Sequence, residues 1–230
     1  MTSGSSSSTD GLNNDHPNPA RCRVVVLISG NGSNLQAMLD LANKPYDIVA
    51  VLSNKDGAYG LQRAADAGIS THVVPHTAYP DRETFDRAMI EVIDEYQPDL
   101  VVLAGFMRIL SSAFVQHYQG RLINIHPSLL PKYKGTRTHQ RALEAGDKEH
   151  GVSVHFVTEE LDGGPVVRQA VVDILPGDDA DSLAARVADE EHKIYPEVVS
   201  WFARKRLELT DSGVLLDGSP LGAEGVRSKT

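Results

Sequence analysis

"VVVLISGNGSNLQAML", residues 24–39, is the stretch whose reading decides the fold. Its first half is an unbroken run of β-branched and aliphatic residues, the pattern of a strand buried on both faces. Its second half places Leu35, Met38 and Leu39 at helical spacing. Gly30 and Gly32 stand between the two. A buried strand, a glycine turn and an amphipathic helix form the opening unit of a βαβ fold.

The alternation continues outward. Strands are expected at 23–29, 47–53, 70–75, 99–106 and 121–126, with helices at 33–43, 59–68, 81–97 and 111–120. Such alternation implies a parallel sheet with right-handed crossovers. After residue 136 the pattern changes. A helix is expected at 138–146, then two strands within 150–174 as a hairpin or antiparallel extension. A helix at 180–206 follows, broken or kinked at Pro196. The expected architecture is α/β: a single domain with a mostly parallel, Rossmann-like sheet and an antiparallel C-terminal extension. The domain spans 21–210. Residues 1–20, rich in Ser, Asn, Gly and Pro, read as a disordered tail, and His16 within them as solvated. Residues 211–230 read as a hairpin and a loose tail.

Composition narrows the function. The formal net charge of -9 argues against a nucleic-acid partner, because phosphate-backbone affinity needs clustered Lys and Arg. The single cysteine, Cys22, allows no intrachain disulfide and no cysteine-based metal cluster. Apolar runs such as "VVVLI" fall far short of the roughly 18 residues that span a bilayer, and no charged-then-apolar leader opens the chain. A cytoplasmic protein with no membrane partner is expected. His117, His139, His150, His155 and His192 lack metal-ligand spacing, and no metal is expected. His155, between Val154 and Phe156, reads as a core or supporting residue.

Free N–H groups and the helix dipole at Gly32, Ser33 and Asn34 favour an anion, and Ser33 is placed to cap the helix. A G-x-G-x-x-G dinucleotide loop would need a third glycine at position 35, which is Leu35. A single phosphate therefore suits the turn better than a pyrophosphate. An ordinary strand–helix turn that merely needs glycine is the competing reading.

"INIH" brings Asn124 and His126 to one face of a strand end, since strand residues two apart share a face. That edge is where open α/β sheets bind ligands. Asn can hydrogen-bond a developing oxyanion, and His can exchange a proton near neutral pH. Taken alone, the pair reads equally as a backbone-satisfied histidine and a turn-capping asparagine. The loop "TEELDGGPV", 158–166, carries Asp162 before two glycines. That carboxylate is either a partner for His126 or a solvated turn residue. Neither a G-x-S-x-G elbow nor an H-E-x-x-H motif is present.

The segments "VVVLISGNGSNLQAML", "DLVVLAGFMRIL", "INIHPSLLPKYKG", "HGVSVHFVTEELDGGPVV" and "EHKIYPEVVSWFA" together resemble the glycinamide ribonucleotide transformylase family, colinearly from about residue 23 to about 207. The resemblance implies the formyltransferase fold and formyl transfer from 10-formyltetrahydrofolate, a cosubstrate, to 5-phosphoribosylglycinamide, without a metal. It implies Asn124, His126 and Asp162 as catalytic residues and Gly32, Ser33, Asn34 and Glu191 as ribonucleotide-binding residues. It implies folate contacts from Arg82, Met107, Arg108, Ile109, Leu110, Asn124, Thr158, Glu159, Glu160, Leu161 and Asp162. The partners implied are small-molecule substrates; a homodimer stays open. Methionyl-tRNA formyltransferase and formyltetrahydrofolate deformylase share the fold, but both carry further domains that the short flanks here do not match. A phosphate-binding module without catalysis is the alternative from another class. A cis bond before Pro131 is expected in the loop after His126.

Overall fold

The computed structural model describes residues 21–230; the expected N-terminal tail, with His16, lies outside them. Five strands build the parallel part: β1 (Cys22–Ile28), β2 (Tyr46–Ser53), β3 (Ser70–Val73), β4 (Leu100–Leu103) and β5 (Leu122–His126). They lie in the order β3-β2-β1-β4-β5, so the winding reverses between β1 and β4. A crevice opens at the C-terminal ends of strands where winding reverses, and ligands bind there.

β6 (Glu149–Phe156) continues the sheet antiparallel to β5, and β7 (Val166–Asp173) returns antiparallel to β6. These two strands are the expected extension. The register sets Asn124 opposite His155 and His126 opposite Ser153.

Both sheet faces are covered. In β1, Val24, Val26 and Ile28 pack on one side while Val25 and Leu27 pack on the other, as period-two alternation requires. The first side receives α1 (Ser33–Asp40), α2 (Tyr59–Asp66) and α6 (Ala180–Ala203) through Leu35, Met38, Ala64, Leu183 and Val187. The second receives α3 (Arg82–Glu95) and α4 (Ser112–His117) through Phe85, Met89, Ile93 and Phe114. Each of the larger of these side chains contributes about 1.5–3 kcal/mol relative to leaving it exposed. α5 (Thr138–Glu144) follows the loop after β5.

Two readings of the C-terminal part change. α6 is one continuous helix with Pro196 inside it. Pro196 is buried in the packed face, which holds the helix together across the missing N–H, and Ser200 Oγ donates to the Pro196 carbonyl at 2.7 Å. The stretch read as a loose end carries ordered strands. β8 (Leu207–Thr210) and β9 (Gly213–Leu216) form the expected hairpin, joined by β10 (Ser219–Pro220). β11 (Val226–Lys229) pairs in parallel with β7 at the edge of the main sheet. Lys229 bridges to Glu149 and Asp173, a pairing between distant segments that local composition does not display. The Leu130–Pro131 bond is cis.

Candidate active site

The glycine turn leaves β1 and enters α1 with Gly32 in the left-handed region, φ 76°. Such a conformation favours glycine. Gly32 itself holds the cap position, and no side chain caps the helix, so Ser33 is the first helical residue rather than its cap. The first N–H groups of α1 are therefore free to meet an anion. Asn34 Nδ2 donates to Glu191 Oε2 at 2.8 Å, joining the turn to α6. Asn34 is buried, and its Oδ1 has no partner among the described residues. Burial pushes the Glu191 carboxyl pKa up against the opposing effect of the Asn34 bond.

At the end of β5, Asn124 Nδ2 lies 3.2 Å from His155 Nε2, and His155 Nδ1 lies 2.8 Å from the Phe156 carbonyl. A carbonyl only accepts, so Nδ1 carries the proton and Nε2 receives the amide N–H. Burial lowers the His155 pKa to about 4, which keeps this ring neutral. One Asn124 N–H is thereby committed, and the second has no partner among the described residues. The sequence marked His155 only as a core or supporting residue. Its partner is set by the β5–β6 register, which periodicity does not reveal.

His126 Nε2 lies 2.9 Å from the Tyr133 carbonyl and must donate to it. Nδ1 then faces Asp162 Oδ2 at 3.5 Å, with both side chains buried. Asp162 sits in the left-handed region, φ 48°, and its Oδ2 accepts the Gly135 N–H at 2.8 Å. Asp162 Oδ1 lies 3.9 Å from His155 Nε2. The Asp-Gly-Gly loop thus meets both histidines and the turn after His126. Asp162 is a buried partner, not a solvated turn residue.

A cleft beside this cluster is lined by Arg108, Ile109, Leu110, Asn124, His155 and the whole segment Thr158–Asp162. Ile109 and Leu161 expose large apolar surfaces to it. Gln116 holds Glu159 at 2.7 Å, and Lys134 holds Glu160 at 2.6 Å. Two expected folate residues stand apart from this lining. Met107 is 66% exposed on the adjoining loop, and Arg82, on the first turn of α3, pairs with Glu83 at 3.3 Å. His126 meets the cleft through Asp162 and does not line it. Two larger cavities of about 590 Å³ lie between α1 and α2 and beside β11, and the charges lining the second mostly pair with one another. His139 and His150 come within 3.1 Å, as a hydrogen bond between rings whose pKa values burial lowers.

The glycine turn and Asn124 sit on the same sheet edge, two strand spacings apart across β4, or about 10 Å. A family model described as formyl transferase matches residues 22–199. The chain belongs to the formyl transferase family. Phosphoribosylglycinamide formyltransferase of Escherichia coli strain K12 is 60% identical to this formyltransferase over 205 residues, covering 88% of this chain and 97% of that one. The solved structure of phosphoribosylglycinamide formyltransferase from Coxiella burnetii, in complex with CHES, matches with a TM-score of 0.87 at 53% identity. It covers 90% of this chain and 99% of that one. The human trifunctional purine biosynthetic protein adenosine-3 is 45% identical over 196 residues, 84% of this chain and 19% of that longer protein. The formyltransferase is thus an enzyme of the transferase class, and the expected family and fold hold. No helix among its described residues is long and apolar enough to cross a membrane.

Proposed function

We propose that the enzyme transfers the formyl group of 10-formyltetrahydrofolate to the amine of 5-phosphoribosylglycinamide. The observation that carries this reading is the meeting of Asn124, His126 and Asp162 with His155 beside an apolar cleft. The names of the relatives support the acceptor, and the family supports the folate.

The amine nitrogen attacks the formyl carbon and a C–N bond forms. The formyl oxygen gains negative charge in the tetrahedral intermediate. The free Asn124 N–H donates to that oxygen, and His126, paired with Asp162, stabilises the developing charge. Asp162 orients the ring and receives the proton that the amine loses. The bond from the formyl carbon to the folate nitrogen then breaks, and that nitrogen takes up the proton that Asp162 received from the amine. The ribonucleotide phosphate binds at Gly32, Ser33 and Asn34, and Glu191 contacts the same ribonucleotide. Arg82, the segment Met107–Leu110 and the loop Thr158–Asp162 contact the folate. The reading includes a cytoplasmic location and neither a nucleic-acid nor a membrane partner.

The test follows folate absorbance with phosphoribosylglycinamide present and omitted. Turnover only when it is present is expected. Equal turnover without it would mark a deformylase, and ligand binding without product would mark a binding module.

A further inference from the structure

The N-terminal end of α2 is pressed against the back of the anion turn. A Cβ on Gly32 would lie 2.6 Å from the Gly60 α-carbon, so the two backbones touch. The Gly60 N–H donates to the Gly30 carbonyl at 3.0 Å. One turn further along α2, Arg63 reaches the same loop with two of its nitrogens and the first turn of α1 with the third. Nε donates to the Asn31 carbonyl at 2.9 Å, Nη2 to Asn31 Oδ1 at 2.9 Å, and Nη1 to Gln36 Oε1 at 3.1 Å. The guanidinium lies over the Tyr59 ring, 4.8 Å from its centroid. The Gln36 N–H takes the Gly32 carbonyl at 2.9 Å.

The carbonyl oxygens of residues 30, 31 and 32 are therefore all held. In a planar trans peptide the N–H points opposite to the C=O. Holding these three oxygens aims the N–H groups of Asn31, Gly32 and Ser33 away from the bonds that hold them. Backbone groups hold the first and third. Only the middle carbonyl, whose peptide carries the Gly32 N–H, depends on a side chain, and that side chain is a cation in a chain of net charge -9.

We propose that Arg63 is a positioning residue for the ribonucleotide phosphate: its fork on the two oxygens of Asn31 fixes the direction of the Gly32 N–H and places a positive charge behind the anion turn. The inference rests on the phosphate reading of that turn. Arg63 belongs to α2, outside the glycine motif, and touches the loop rather than the substrate. A planar fork matters here because a lysine brings the charge without the two parallel bonds.

The experiment compares wild type with Arg63→Met and Arg63→Lys, measuring kcat, both KM values, inhibition by inorganic phosphate and thermal midpoint. Arg63→Met is expected to raise the KM for the ribonucleotide and the inhibition constant of phosphate by about tenfold, the size of one charge-assisted contact. The folate KM and kcat are expected to stay within about twofold. Arg63→Lys is expected to recover only part of the loss. An unchanged ribonucleotide KM in Arg63→Met, or equal rises in both KM values, overturns the proposal. So does full recovery by Arg63→Lys, because the fork would then be idle. Asn34→Asp separates the two levels. If it raises the ribonucleotide KM and Arg63→Met does not, the phosphate reading stands and the role of Arg63 falls. If neither variant moves it, the phosphate reading itself fails and takes the proposal with it.

Discussion

Asn124 and His155 face each other from neighbouring antiparallel strands, with the amide nitrogen 3.2 Å from the imidazole Nε2. The other imidazole nitrogen is spent on the Phe156 carbonyl, so the ring has one tautomer available for the amide. The amide in turn has one orientation, with its remaining N–H free. Removing the ring frees the amide to rotate. His155→Ala is expected to lower kcat by about ten- to a hundredfold while leaving the ribonucleotide KM within about twofold. Steady-state kinetics on both substrates checks this, and an unchanged kcat would refute the orienting role.

The neutrality of His155 also predicts a pH dependence of stability. Its pKa is about 4 in the folded enzyme, against an ordinary 6.5. Between those values the unfolded chain binds more protons than the folded one. The stability is fully present above pH 6.5 and is lost as pH falls from 6.5 to about 4. His150, also held at about 4 by burial, adds to the loss in the same window. The urea midpoint is expected to drop across that interval in wild type and to drop less in His155→Gln.

His126 and Asp162 form a buried pair at 3.5 Å, with the second imidazole nitrogen anchored on Tyr133. His126→Ala is expected to reduce kcat by roughly two to four powers of ten, the range of a lost acid–base group. Asp162→Asn keeps the shape and removes the proton acceptor, and a loss of similar size is expected. Near-wild-type turnover in either variant would contradict the assigned chemistry.

Two adjacent glycines should behave unequally. A Cβ on Gly164 would lie 1.8 Å from the Phe156 carbonyl oxygen, a backbone atom that also sits beside His155. The three atoms nearest to a Cβ on Gly163 all belong to the Glu160 side chain, at 2.4–2.6 Å, and that side chain is largely exposed and can swing away. Gly164→Ala is expected to cost about 1–3 kcal/mol in unfolding free energy and to impair turnover. Gly163→Ala should stay within about 1 kcal/mol. Chemical denaturation of the two variants side by side decides it.

Asn34→Asp places a carboxylate where an amide donates to Glu191 and beside the first N–H groups of α1. The new charge repels both Glu191 and a phosphate. The ribonucleotide KM is expected to rise at least tenfold, with the folate KM far less affected. Equal effects on both would argue against an anion site at this turn.

Much of this was legible in the chain itself. The alternation of apolar runs and amphipathic segments reflects burial, which hydrophobic periodicity reports directly, so β1 to β5 and their helices fall where expected. The pair Asn124 and His126 follows from the two-residue repeat of a strand. Four things were hidden because they depend on meetings between distant segments. Pro196 stays within one helix because its neighbours are buried, outweighing a local breaker. The last residues become a strand because the edge of β7 is there to pair with them. His155 acquires its partner from register, and Asp162 reaches two histidines because a loop folds back over the sheet.

The antiparallel pairing of β5 with β6 makes the site sensitive to parity. Opposite Asn124 stands His155, flanked by Val154 and Phe156, which point to the other face. Lengthening the connection between the strands need not matter, because β6 can still dock in the same alignment. Insertion of a single residue inside β6 leaves two outcomes. Either the strand slips and an apolar side chain replaces the imidazole, or it bulges and breaks its pairing with β7. Insertions and deletions in this enzyme should therefore be absorbed in the loops and rejected between 149 and 156, whatever the chemical character of the added residue.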